Sequence, residues 1–249
     1  MIAPAPRTLA LCMFACAAAL VAAGCNAPGK PGPEPAVPRP EQVLDFKTLY
    51  AQNCAACHGV NGWNGAAISL ANPIYLAIAG SANIQRVTAD GVPGTAMPPF
   101  AKSKGGMLTD QQIAILTQGM EHAWGNTAAL AGQTPPAYAA TGPGDPSHGQ
   151  QVFATYCAGC HGTDATGGKT PGGTIAGPLV DPAFLALISD QGLRTFTLSG
   201  QPEQEMPAFL HHRNGAALHS LTDTEITDIV AWLASHRTAT PGQPYPQHP

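Results

Sequence analysis

One pentapeptide occurs twice in this chain, as Cys54-Ala55-Ala56-Cys57-His58 and again as Cys157-Ala158-Gly159-Cys160-His161. The C-x-x-C-H pattern is the attachment signature of a c-type haem. Each thiol can add to a vinyl group, and the adjoining His presents an imidazole to one face of the iron. Two Cys at this spacing also suit zinc or a redox disulfide. A zinc site, however, requires further Cys or His ligands at knuckle spacing, and a dithiol site makes no use of a His directly after the second Cys. The haem reading uses all three chemical positions.

The two motifs belong to an internal repeat. They are offset by 103 residues, and six further residues enter the loop after the second motif, so the offset becomes 109. In that register Leu70-Ala71-Asn72-Pro73-Ile74-Tyr75-Leu76 faces Leu179-Val180-Asp181-Pro182-Ala183-Phe184-Leu185. Gly91 then falls on Gly200, Met97-Pro98 on Met206-Pro207, and Phe100 on Phe209. After four more inserted residues, Leu108-Thr109-Asp110 meets Leu221-Thr222-Asp223. An iron held by His on one side is closed by a sixth ligand, and a thioether is the soft ligand that raises its potential. A lone Met is ordinarily core filler. Met97 and Met206, however, occupy equivalent loop positions and are each followed by Pro. Met107 and Met120 have no counterparts in the second half, and where His211 and His212 closely follow Met206 the first half offers only Ala101 and Lys102. The expected ligand pairs are therefore His58 with Met97 and His161 with Met206.

The remaining sequence frames these two units. Arg7 precedes an uncharged stretch from Leu9 to Ala23, of signal-peptide length and short for a membrane span. It ends Leu20-Val21-Ala22-Ala23-Gly24-Cys25, similar to a lipoprotein cleavage site with Cys25 as the acylated residue, although Ala22 stands where Leu is usual. The signal segment is read as 1–24 and a Pro-rich tether as 25–41. At roughly 3.1 Å per residue, such a tether is extended and semi-rigid. The first unit is read as 42–124, a linker as 125–146, the second unit as 147–238 and an unstructured tail as 239–249. Short helices are expected before each motif and over Ala71 to Ala79, with closing helices over Leu108 to His122 and Leu221 to His236. Thr109 with Gln112, and Thr222 with Glu225, form capping-box patterns at the closing helices.

Of seven Cys, three lie in or at the end of the leader and four belong to the motifs, so none remains for a structural disulfide. Charged residues are only 10%, Gly and Pro number 28 and 25, and the formal charge is −4. That composition suits loop-rich bodies joined by Pro-rich segments. No Lys/Arg block exists, which excludes a nucleic-acid surface.

On these residues the chain resembles the small bacterial cytochromes c, fused in tandem as a dihaem cytochrome. The likeness rests on C-x-x-C-H, the Met-Pro-x-Phe loop and the Leu-Thr-Asp closing helix, and it covers both units. It implies an all-α fold, each unit a few helices around a covalently bound haem, with first and last helices crossing. Tyr50 and Phe153 would lie at those crossings, with Trp232 opposite Phe153. Gly119 replaces the aromatic in the first unit, whose crossing is expected to pack more loosely. Gly177-Pro178-Leu179 is similar to the family segment whose Pro carbonyl orients the ligating His. The first unit has Ile68-Ser69-Leu70 there, so the sequence leaves the partner of His58 open.

The resemblance further implies two haem c groups attached outside the cytoplasm, at Cys54, Cys57, Cys157 and Cys160. The expected role is electron transfer at the periplasmic face of the cytoplasmic membrane, with anchoring through Cys25. Electrons would come from a quinol-oxidising complex or dehydrogenase and pass to a terminal oxidase, a reductase or a photosynthetic reaction centre. The chain would be a free carrier or a fixed subunit of such a complex. A dihaem peroxidase is the alternative from another class, and a gas sensor a third. Both need an iron with an open position, and no residue pattern supplies one.

Overall fold

Side-chain caps set where the helices of this protein start. The computed structural model describes residues 37–210 and 218–238. The leader, Cys25, most of the Pro-rich tether, His211, His212 and the tail lie outside the described residues. In the first half, α1 (Phe46–Asn53) begins where the Asp45 carboxylate accepts from the Thr48 N–H at 2.8 Å. It runs into a single turn, α2 (Ala55–His58), through the kinked residue Cys54. Then come α3 (Pro73–Asp90) and the closing helix α4 (Asp110–Trp124). The second half repeats the order with α5 (Pro146–Tyr156), α6 (Ala158–His161), α7 (Pro182–Leu187), α8 (Asp190–Ser199) and α9 (Asp223–Ala234). The architecture is all-α, as expected. Both halves lie in one compact unit that begins at Pro40.

Each closing helix carries the complete capping box that its sequence announces, Thr109 with Gln112 and Thr222 with Glu225. The helix expected to end at Ala79 instead continues to Asp90, broken at Gly80, whose φ of 69° interrupts the helical path. The equivalent residue in the repeat is Ser189, whose hydroxyl caps α8 by accepting from the Gly192 N–H. One half therefore makes the break with a left-handed glycine and the other with a side-chain cap. The six-residue insertion after the second motif forms a small antiparallel hairpin, β1 (Gly168–Lys169) with β2 (Ile175–Ala176). Its loop is held by the Glu205 carboxylate, which accepts from the Gly172 N–H at 3.1 Å.

The two crossings bury aromatic residues, but in opposite ways. In the second half Phe153 meets Trp232 with ring centroids 4.6 Å apart. Gly149 there lies directly on the Asp228 carbonyl, which a β-carbon would strike. In the first half a β-carbon on Gly119 would overlap the Phe46 ring, and Phe46, Tyr50 and Trp124 form an edge-packed trio. The expected looseness at Gly119 is not found, because Phe46 fills the space. Phe46 and Gly149 are equivalent positions, as are Gly119 and Trp232. The large residue has moved from one helix of the pair to the other.

Residues 125–146, read as a linker, are held against both halves. Thr127–Leu130 form a 3-10 turn, and Leu130 packs on the second core. The buried Arg194 guanidinium donates to the Ala137 and Tyr138 carbonyls, to Thr227 and to the Asp223 carboxylate. Tyr138 itself packs on the first core. Burying a cation this way is tolerable because each of its three nitrogens has an acceptor, one of them a carboxylate.

Candidate functional site

Both C-x-x-C-H segments take one conformation. The helix ahead of each motif ends at the first Cys, and a single further turn carries the second Cys and the His. That turn is closed by Gly59 in one half and Gly162 in the other, with φ of 83° and 75°. Both take the left-handed conformation that costs glycine least. The following loop folds back over the motif. The Cys57 carbonyl accepts from the Ala67 N–H at 2.9 Å, and the His161 carbonyl from the Gly167 N–H at 2.9 Å.

The four thiols are free, with Cys57 exposed and the others partly covered. Cys54 packs on the first core and Cys157 on the second. Burial, with the neighbouring thiol adding to it, pushes Cys54 up to about 11 and Cys157 up to about 12. Each motif thus sets one thiol against apolar side chains and the other farther out.

His58 is buried and its Nδ1 lies 2.7 Å from the Ile68 carbonyl. A carbonyl only accepts, so this contact fixes the proton on Nδ1 and leaves Nε2 with its lone pair. Burial pulls the His58 pKa below its ordinary value, with the Ile68 bond opposing, which favours a neutral imidazole. This answers the question that the sequence left open. His161 is likewise lowered by burial, and the Gly177 carbonyl acts in the opposite direction. Gly177 is the counterpart of Ile68, one residue before the Pro178 position that the sequence pointed to. The second half does not close the bond to full hydrogen-bonding geometry, since the buried His161 Nδ1 has no partner.

The two Met loops are also built alike. Gly91 and Gly200 end α3 and α8 with φ of 69° and 64°, and each lies against a Met-Pro backbone. A β-carbon would come within 2.7 Å of the Met97 carbonyl and 2.6 Å of the Met206 carbonyl. Glycine is what lets the Met loop press onto the helix end. Val92 donates to the Met97 carbonyl, and Gln201 and Met206 exchange both main-chain bonds. Met97 and Met206 are half-buried. The other candidates separate clearly, for Met107 is 74% exposed and Met120, at 2%, is first-core packing.

The donor set fits haem c. Each half offers two thiols on one turn, a neutral imidazole with an available nitrogen, an adjacent apolar core, and a glycine-seated thioether loop. Among the described residues no group of three or more His, Cys, Asp or Glu is arranged to hold a bare metal ion. Sequence reasoning missed the Ile68 carbonyl, the seating role of Gly91 and Gly200, and Arg194. The paired glycines were visible as equivalents in the repeat, whereas a main-chain acceptor leaves no side-chain signature.

Residues 146–237 match the family model "Cytochrome c", and residues 41–118 match "Cytochrome C oxidase, cbb3-type, subunit III". The chain is 29% identical over 188 residues to the cbb3-type cytochrome c oxidase subunit CcoP of Azospirillum sp. (strain B510), covering 70% of this chain and 58% of that protein. It is 31% identical over 139 residues to the subunit FixP of Sinorhizobium medicae (strain WSM419), covering 50% of this chain and 40% of that protein. The chain thus spans less than two thirds of the length of these relatives. A solved structure, the reducing HAO-like protein complex of Kuenenia stuttgartiensis, aligns with TM-score 0.43 and 17% identity, over 81% of this chain and 100% of that one. No helix among the described residues is long and apolar enough to cross a membrane. The second C-x-x-C-H turn therefore lies in a stretch that matches cytochrome c and implies covalently bound haem c, and the first lies in a cbb3-type CcoP/FixP-like region.

Proposed function

We propose that this chain is a dihaem c-type cytochrome, anchored at the periplasmic face of the membrane through Cys25, that delivers electrons within or to a cbb3-type terminal oxidase. One haem would be held by Cys54, Cys57, His58 and Met97, the other by Cys157, Cys160, His161 and Met206. Iron alternating between ferrous and ferric supplies the chemistry, with the potential set by axial ligands, hydrogen bonding and burial. The protein supplies orientation. The observation that carries the reading is the His58 ring, tied by Nδ1 to Ile68 with Nε2 left available, on a turn that places two thiols beside it. Such a partner to the outer ring nitrogen fixes the tautomer and raises ligand basicity.

Both relatives are named as subunits of a cbb3-type oxidase. That favours a fixed or closely docked subunit over a freely diffusing carrier. The upstream donor would be a quinol-oxidising complex or a dehydrogenase. The chain would carry electrons without transforming a substrate of its own.

Intact-protein mass spectrometry of the exported chain is expected to show two haem increments and an acyl group on Cys25. The reduced protein should be reoxidised rapidly by a purified cbb3-type oxidase, and it should bind no carbon monoxide at neutral pH. One haem or none would overturn the dihaem reading. Rapid carbon monoxide binding with efficient peroxide turnover would replace the carrier with a peroxidase. An unmodified Cys25 would remove the anchor alone.

A further inference from the structure

Between the halves, a short bonded bridge runs from the His58 side of the first to the Met206 loop of the second. The Ile68 carbonyl that holds His58 Nδ1 belongs to the peptide joining Ile68 to Ser69. The buried Ser69 hydroxyl donates to Glu203 Oε1. Glu203 sits in the 3-10 turn Pro202–Gln204. That turn is clamped to Met206 by the two main-chain bonds between Gln201 and Met206, 2.9 and 3.0 Å long. Three residues along, Asn72 repeats the connection. Its side-chain oxygen caps α3, and its amide nitrogen donates to the Ser199 carbonyl at 2.9 Å.

The bridge has no duplicate. In the repeat register Ser69 answers to Pro178 and Asn72 to Asp181. Proline has no hydroxyl, and the Asp181 carboxylate, which caps α7, has no amide hydrogen with which to reach a carbonyl. Glu203 answers to Gly94. The three side chains of the bridge are thus missing from the mirrored positions, although the surrounding helices are shared. Its members are also costly to bury without partners, and the second oxygen of Glu203 is itself buried and unpaired.

We propose that Ser69 and Glu203 are positioning residues that couple the two sites, by holding the carbonyl that orients His58 in register with the loop that carries Met206. This rests on the dihaem reading above. Displacing the Met206 loop moves Glu203, hence Ser69, and hence the Ile68 carbonyl that governs His58 basicity. Coupling of this kind acts equally in both directions.

The test uses the full-length exported protein, with its haem content first counted by intact mass. Spectroelectrochemistry is then run on wild type, Met206→Ala, Ser69→Ala and the double variant. Removing Met206 is expected to shift the potential of the first site, and removing Ser69 as well is expected to abolish that shift. Glu203→Gln, which keeps an oxygen for Ser69, should retain the coupling, and Glu203→Ala should lose it. The Glu203 pair reaches the same contact from the other half should Ser69→Ala fail to fold. In the reduced state, hydrogen exchange at His58 Nδ1 should quicken in Met206→Ala only while Ser69 is present. With two haems bound, a first-site potential indifferent to Met206, or shifted equally with and without Ser69, would overturn the coupling and leave the dihaem reading standing. A haem count below two would overturn both.

Discussion

At the scale of single residues, the Met and His side chains divide by surroundings. On the ligation proposed above, Met97→Ala should open the first site to carbon monoxide and lower its potential, since a soft ligand favouring ferrous iron would be gone. Met206→Ala should do the same at the second site, and the spectrum of the ferrous–carbon monoxide adduct checks both. Met107→Ala should change neither ligation nor stability, because its side chain is 74% exposed. His148 offers a pH test away from the two C-x-x-C-H turns. Its Nδ1 lies 2.7 Å from Oδ2 of the buried Asp228, whose other oxygen accepts from the Asp145 N–H. The bond to Asp228 leads the causes that raise the His148 pKa above its ordinary 6.5. A raised folded-state value means that the pair stabilises fully below that ordinary value and ceases to do so as pH climbs through the raised one. The melting-temperature difference between wild type and His148→Ala should therefore be largest in acid and shrink in alkali. A pH-independent difference would show that the pair contributes no proton-linked stability.

The helices show how far a repeat can vary without losing its shape. Phe46 with Gly119, and Gly149 with Trp232, are the same two positions with bulk assigned to opposite partners. Gly149→Ala should destabilise by about 1–3 kcal/mol or more, because the obstructing atom is a main-chain carbonyl that cannot step aside. Gly119→Ala should cost less, since the Phe46 ring at the end of α1 can tilt. Carrying the second half's pattern into the first, Phe46→Gly with Gly119→Trp, should cost less than the sum of the two single changes, as neighbouring sites commonly do. Urea midpoints of the four proteins decide this. The motif turns and the closing helices were legible in the sequence. C-x-x-C-H located the turns, and Thr109 and Thr222 located the closing helices. Gly119 misled, because its lack of bulk gave no hint that Phe46, from a different helix, fills the gap. The second leg of α3 was missed because Gly80 reads as a helix end, while in the fold it is a break between two helical legs.

Across the whole molecule, two units that the sequence separates with a flexible-looking stretch are joined in one body. Nothing in the composition of residues 125–146 announces this, since the tie is made by main-chain carbonyls of Ala137 and Tyr138 that a buried Arg194 seeks out. The joint between the halves leans on Asn72. Asn72→Asp keeps the α3 cap but turns a donor into an acceptor facing the Ser199 carbonyl. Wild type should unfold in one calorimetric transition, and Asn72→Asp in two, one for each half. A single unshifted transition in the variant would assign the cohesion to apolar packing of Ile74 and Ile78 on the second core. The amide of Asn72 serves its own helix with one atom and the neighbouring half with the other, and the copy at Asp181 can do only the first. The second half carries Pro178 and Asp181 where the first half offers Ser69 and Asn72, so the hydroxyl and amide donors that join the halves in one direction are not offered again in the other.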